Sequence, residues 1–77
     1  MIFGVPRETG RHERRVGLTP SAARELVRDS QAVVVERDAG KVARFNDQEY
    51  LDAGARVVYS QEEVFKRADV ICGVGLV

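Results

Sequence analysis

"AVVVE", residues 32–36, places three valines after an alanine with no polar residue between them. A strand with one wet face alternates apolar and polar side chains. An unbroken apolar run of this length fits a strand buried on both faces, in the middle of a parallel sheet covered by helices. The flanking segments agree with that reading. "MIFGV" at 1–5 is another apolar run, closed by Pro6, and predicts a strand over 2–5. "ARVVY" at 55–59 and "DVICGV" from Asp69 to 74 predict two more, the first of them shorter and more polar.

Between these strands lie three helix starts. Thr19-Pro20 offers a capping hydroxyl followed by proline at the first helical position, where the missing N–H costs nothing. Ala22, Ala23, Leu26 and Val27 then share a face, with Leu18 and Ala23 as a weak staple. Asn46 with Glu49 reads as a capping pair, with Phe45 and Tyr50 spaced as its hydrophobic staple and Gly54 as its stop. Ser60 with Glu63 repeats the pattern, with Tyr59 and Val64 as the staple. The order β-α-β-α-β-α-β, with helices of about 8 to 11 residues, implies right-handed crossovers and an α/β fold. The expected strand order is 3-2-1-4, which leaves the first strand interior.

Composition bounds the function. Seventy-seven residues make one small domain at most, and 44% apolar with 31% charged residues is ordinary for a globular chain. Twelve basic residues balance twelve acidic ones, which argues against a general nucleic-acid or membrane-surface binder. One cysteine allows no internal disulfide, and no apolar run is long enough to span a membrane. A cytoplasmic domain is the expectation. The sequence ends on "GVGLV" directly after its fourth strand, where a parallel sheet would continue into a helix. We therefore expect the beginning of a domain, not the whole of one.

The chemistry concentrates in residues 6–18, a connection much longer than the usual two to six or so residues of a strand-to-helix loop. It leaves the carboxyl end of a central strand, where open α/β sheets bind ligands. Arg7, Arg11, Arg14 and Arg15 lie in it beside Glu8 and Glu13. Much of that charge is solvated or self-paired. Arginine nevertheless presents a planar fork suited to carboxylate or phosphate, so the loop as a whole reads as an anion site.

"GVPRETGRHERRVGLTPSAARELV" at 4–27 resembles the opening of the alanine dehydrogenase and pyridine-nucleotide transhydrogenase family. "ERDAG" at 36–40, "FNDQEYLDAGARVV" at 45–58 and "ADVICGV" at 68–74 continue the match in order, so it covers 1–77. The resemblance implies a Rossmann-like or flavodoxin-like parallel sheet, incomplete as a single domain, forming the first part of the substrate-side domain. It implies an NAD(P)-dependent oxidoreductase, homo-oligomeric, whose NAD or NADP is bound by a separate domain. It also implies a small carboxylate substrate, a 2-oxo acid or amino acid, held by the arginine of the family's Glu-x-Arg-Val, which is Arg15 here. Where alanine dehydrogenases carry two lysines after the fourth strand, the second of them on the substrate carbonyl oxygen, this sequence has Gly73 and Gly75. The alternative is thus a non-catalytic small-anion or protein-binding domain derived from that family.

Other residues read more plainly. Gly73-Val-Gly75 lacks the third glycine, the helix and the distant acid of a dinucleotide fingerprint. His12 reads as a solvated loop histidine, and Cys72 as a buried small hydrophobe. Asp38, Asp47 and Asp69 read as loop or cap residues, and no metal-ligand spacing is present.

Overall fold

The computed structural model describes residues 1–8 and 15–73. In chain order it contains β1 (Ile2–Val5), α1 (Pro20–Arg28), β2 (Ala32–Glu36), a short 3-10 turn at Lys41–Ala43, α2 (Asp47–Asp52), β3 (Arg56–Val58), α3 (Gln61–Arg67) and β4 (Val70–Ile71). The strands form one parallel sheet in the order β3-β2-β1-β4. The valine-rich strand sits between β1 and β3, with Phe3 beside Val33 and Val35 beside Val57. The sheet is the α/β arrangement and strand order expected from the sequence.

Alternation along each strand sends side chains to two different cores. Phe3, Val5, Val33, Val35 and Val57 meet Ala23, Tyr50 and Ala53 from α1 and the end of α2. Ile2, Val34, Val58 and Ile71 meet Val64 of α3 on the opposite face. Val34 needs the second layer as much as Val33 and Val35 need the first, which is why residues 32–36 show no polar alternation. A fully buried valine contributes about 1.5–3 kcal/mol relative to an exposed one. Val5, Val35 and Val64 are fully buried.

The capping signals work as read. The Thr19 hydroxyl accepts from the Ala22 N–H at 3.2 Å, the Asn46 side chain from the Glu49 N–H at 2.9 Å, and the Ser60 hydroxyl from the Glu63 N–H at 3.2 Å. Four details differ from expectation. The second and third helices have 6 and 7 residues, shorter than predicted. Ala55 is not yet strand, because its N–H closes the end of α2 on the Tyr50 carbonyl at 3.0 Å. Tyr59 does not staple Val64; it is 75% exposed with the Arg37 guanidinium 5.7 Å from its ring centroid. Asp69 is the start of the β4 pairing, its backbone N–H donating to Ile2 and its carboxylate accepting the Ile2 N–H, each at 2.7 Å. The strand expected over 69–74 is shorter than that: it is Val70–Ile71, Cys72 and Gly73 already lie past its end, and residue 74 falls outside the described residues.

α1 ends without a glycine. Ser30 takes a left-handed backbone, φ 66°, so that its N–H reaches the Val27 carbonyl and the Gln31 N–H reaches that of Leu26, each at 3.0 Å. α2 makes the same turn with Gly54, φ 97°. A side chain in that region is strained. Ser30→Gly is therefore expected to stabilise the chain by about 0.5–1 kcal/mol, allowing for glycine's greater unfolded entropy. A urea melt with an unchanged or lower midpoint would contradict this.

Candidate functional site

The chain leaves β1 for β2 and β3 on one side, then returns across to place β4 on the other. The carboxyl ends of β1 and β4 thus flank the point where the winding direction reverses, the usual location of a ligand crevice. The described ends of the connection between β1 and α1, residues 6–8 and 15–19, lie here and are held at three places.

At its start, the Arg7 N–H donates to the Glu36 carboxylate at 2.9 Å, tying the loop to the end of β2. At its end, the buried Tyr50 hydroxyl donates to the Leu18 carbonyl at 2.7 Å, tying it to α2. Between them, Gly17 lies against the backbone that follows β4. A Cβ there would fall on the Cys72 carbonyl oxygen, 2.6 Å from its carbon and 2.9 Å from the Gly73 nitrogen. Only glycine permits that approach. Arg15, two residues earlier, is exposed at this edge.

The structure therefore brings the segment carrying Arg15 to the backbone of Gly73, one of the positions where the family pattern has lysine. Arg11, His12, Glu13, Arg14 and Gly75 lie outside the described residues. Arg7 is exposed, and its main-chain N–H rather than its guanidinium is the anchoring group. Cys72 is half-buried, not buried as the apolar run suggested, because it follows the last strand residue; burial still pushes its thiol pKa up. Asp38 and Asp47 serve a turn, the Asp47 carboxylate accepting the Asp38 N–H at 2.9 Å.

A cleft of about 310 Å³ opens beside this edge, with Pro6, Arg7 and Glu8 on one wall and Phe65, Ile71 and Gly73 on the other. The groove of about 360 Å³ between α1 and α2 is a weaker candidate. It sets one cation, Arg24, beside two carboxylates, Glu49 and Asp52, so its charged lining is net negative and unsuited to an anion, and no strand residue lines it.

Sequence reasoning singled out Arg15 and missed Glu36, Gly17 and Tyr50. A signal existed for the last of these. A tyrosine on the buried face of a helix needs a partner for its hydroxyl, which phenylalanine would not.

Burial pushes the Tyr50 phenol up to about 12, with the Glu49 and then the Asp47 carboxylates adding to it. The folded chain prefers the neutral phenol, so Tyr50 contributes fully below the ordinary value of 10.0. That contribution falls as pH rises from 10.0 towards about 12, where the unfolded chain has already lost the proton. The stability lead of the parent chain over Tyr50→Phe should shrink across that window and stay level from pH 7 to 9. Denaturant melts of both proteins would show it, and a constant lead up to pH 12 would refute it.

The described residues do not form a dinucleotide cradle. The turn after β1 begins Pro6-Arg7-Glu8, where a phosphate site needs glycines and free N–H groups. Glu36, at the end of β2 where such folds place a ribose-binding acid, already accepts the Arg7 N–H. Among the described residues no group of three metal-ligating side chains occurs, and no helix is long and apolar enough to cross a membrane.

Residues 4–77 match the family model described as "Alanine dehydrogenase/PNT, N-terminal domain". The chain is similar to an alanine dehydrogenase of Staphylococcus haemolyticus, 45% identical over 65 residues that cover 84% of this chain and 17% of that protein. Among solved structures it resembles an L-alanine dehydrogenase with a TM-score of 0.90 and 42% identity, covering 95% of this chain and 20% of that one. A transhydrogenase from Sinorhizobium meliloti aligns with a TM-score of 0.83 and 38% identity, covering 92% of this chain and 21% of that one. The chain thus spans only about a fifth of the length of these relatives.

Proposed function

Because the chain belongs to the alanine dehydrogenase/PNT family, through that family's N-terminal domain, we propose that it forms the substrate-side wall of an NAD(P)-dependent oxidoreductase. In this reading 1–77 is the first part of the substrate domain. Arg15 holds the carboxylate of a 2-oxo acid or amino acid, and the nicotinamide that exchanges hydride with that substrate is held by another part of the protein. A cytoplasmic, homo-oligomeric protein belongs to the same reading.

The observation that carries it is the seating of Gly17 on the Cys72–Gly73 backbone, which sets the Arg15 segment over the reversal point between β1 and β4. A guanidinium there binds a carboxylate through two parallel N–H bonds and so orients the substrate as well as retaining it. The test has two parts. The reading frame should continue past Val77 into a complete G-x-G-x-x-G unit, and the full-length protein should bind pyruvate in the presence of NADH. A frame that stops at Val77 would remove the oxidoreductase.

One observation favours a second reading, a non-catalytic domain binding a small anion. Gly73 and Gly75 stand where alanine dehydrogenases have lysines, and glycine supplies no charged donor to a substrate carbonyl. Pyruvate binding without oxidation of NADH, with ammonium present, would select that reading.

A further inference from the structure

Tyr50 belongs to the second helix and is far from Arg15 in sequence, yet it is fully buried and its one polar atom is aimed at the Arg15 loop. The hydroxyl donates to the Leu18 carbonyl at 2.7 Å, one residue before the Thr19 cap and three after Arg15. The ring is held from behind. A Cβ at Gly40 would come within 2.7 Å of the Tyr50 Cε2 and 2.9 Å of the Phe45 Cβ, so the phenol has little room to swing. On the other side of the segment, Gly17 rests on the backbone of Cys72 and Gly73. The stretch 16–18 is thus gripped between a side-chain donor from α2 and the main chain after β4.

We propose that Tyr50 is a positioning residue for anion recognition: its hydroxyl, through the Leu18 carbonyl, holds the Arg15 segment against the end of β4. This rests on the reading of Arg15 as the carboxylate-binding group. The phenol touches no substrate; it acts by keeping the loop in one place before the anion arrives. A loop that must be ordered on binding costs affinity, and a loop already ordered does not. The same ring could fill the core as phenylalanine, so the hydroxyl is the part that serves the loop.

The experiment uses the full-length protein and compares Tyr50→Phe, Arg15→Ala, the double variant and Val64→Ala. Val64 lies in the core on the opposite face of the sheet and serves as a control for stability alone. Two quantities are read: amide hydrogen exchange at residues 16–19, and pyruvate affinity with saturating NADH. Tyr50→Phe should speed exchange at 16–19 while leaving β2 protected, and weaken pyruvate about three- to tenfold, the usual worth of one hydrogen bond. NADH affinity should not change. Val64→Ala should lower the melting temperature without altering pyruvate affinity. Adding Tyr50→Phe to Arg15→Ala should cost little more, because the loop then positions nothing.

Unchanged exchange at 16–19 in Tyr50→Phe would overturn the proposal. Faster exchange with unchanged pyruvate affinity would also overturn it, while a weakening by Arg15→Ala would leave the substrate-site reading standing. If Arg15→Ala binds pyruvate like the parent, the site reading falls and this proposal falls with it.

Discussion

Replacing Arg15 by alanine in the full-length protein is expected to weaken pyruvate binding by about ten- to more than a hundredfold and to leave NADH binding unchanged. A charge-assisted contact to a charged group is worth roughly 1.5–3 kcal/mol, which corresponds to that range. Arg15→Lys should recover part of the loss, because lysine restores the charge but not the fork that engages both carboxylate oxygens. Arg11→Ala provides the comparison, since it removes a positive charge from the same loop without a matching role. Titration calorimetry at fixed NADH separates the cases. Equal losses at Arg11 and Arg15 would mean that the loop acts as a diffuse positive field, and no loss at Arg15 would end its assignment.

Gly17→Ala is expected to damage both the fold and the site, although alanine is the smallest side chain available. The added Cβ would collide with the Cys72 carbonyl, which is main chain and cannot rotate away. Either the loop lifts from β4 or the end of β4 moves, and overpacking of this kind costs about 1–3 kcal/mol. For a chain of this size that corresponds to a fall in melting temperature of roughly 5–20 °C. Pyruvate affinity should fall too, with Arg15 still present, because the guanidinium has been displaced. A variant that melts and binds like the parent would show that the contact between the loop and β4 has no weight in solution.

The two substitutions isolate different links. Arg15→Ala removes the chemistry and keeps the scaffold, whereas Gly17→Ala keeps the chemistry and moves the scaffold. Agreement between them would tie recognition to the meeting of β1 and β4, where Gly73 also lies.

Gly73 bears on the proposed site as well. A lysine at this point would project a cation into the same edge that the Arg15 segment reaches. Glycine instead leaves main chain, and Gly17 packs on it. The proposed site therefore sets Arg15, its proposed carboxylate group, near bare main chain at Gly73.

Local signals sufficed for most of the architecture. The unbroken apolar run at 32–36 required two covering layers, and α1 with α2 supplies one while α3 supplies the other. Thr19, Asn46 and Ser60 declared the helix starts through their own side chains, since a cap bonds only a few residues ahead. The strand order is the one expected of an open α/β sheet wound in two directions from its first strand, and the concentration of arginines marked the loop. What local patterns could not reveal were contacts between residues distant in the chain. Glu36 and Tyr50 looked like a strand end and a core aromatic until folding brought one to the Arg7 N–H and the other to the Leu18 carbonyl. Gly17 showed no turn signature because its requirement is the approach of Cys72, 55 residues along. Tyr59, spaced correctly for a staple, went instead beneath Arg37, because the edge of the sheet offered it a cation and left Val64 to the core. Periodicity and capping are short-range and legible in sequence; the grip on the Arg15 loop is made by partners that only the closed sheet brings together.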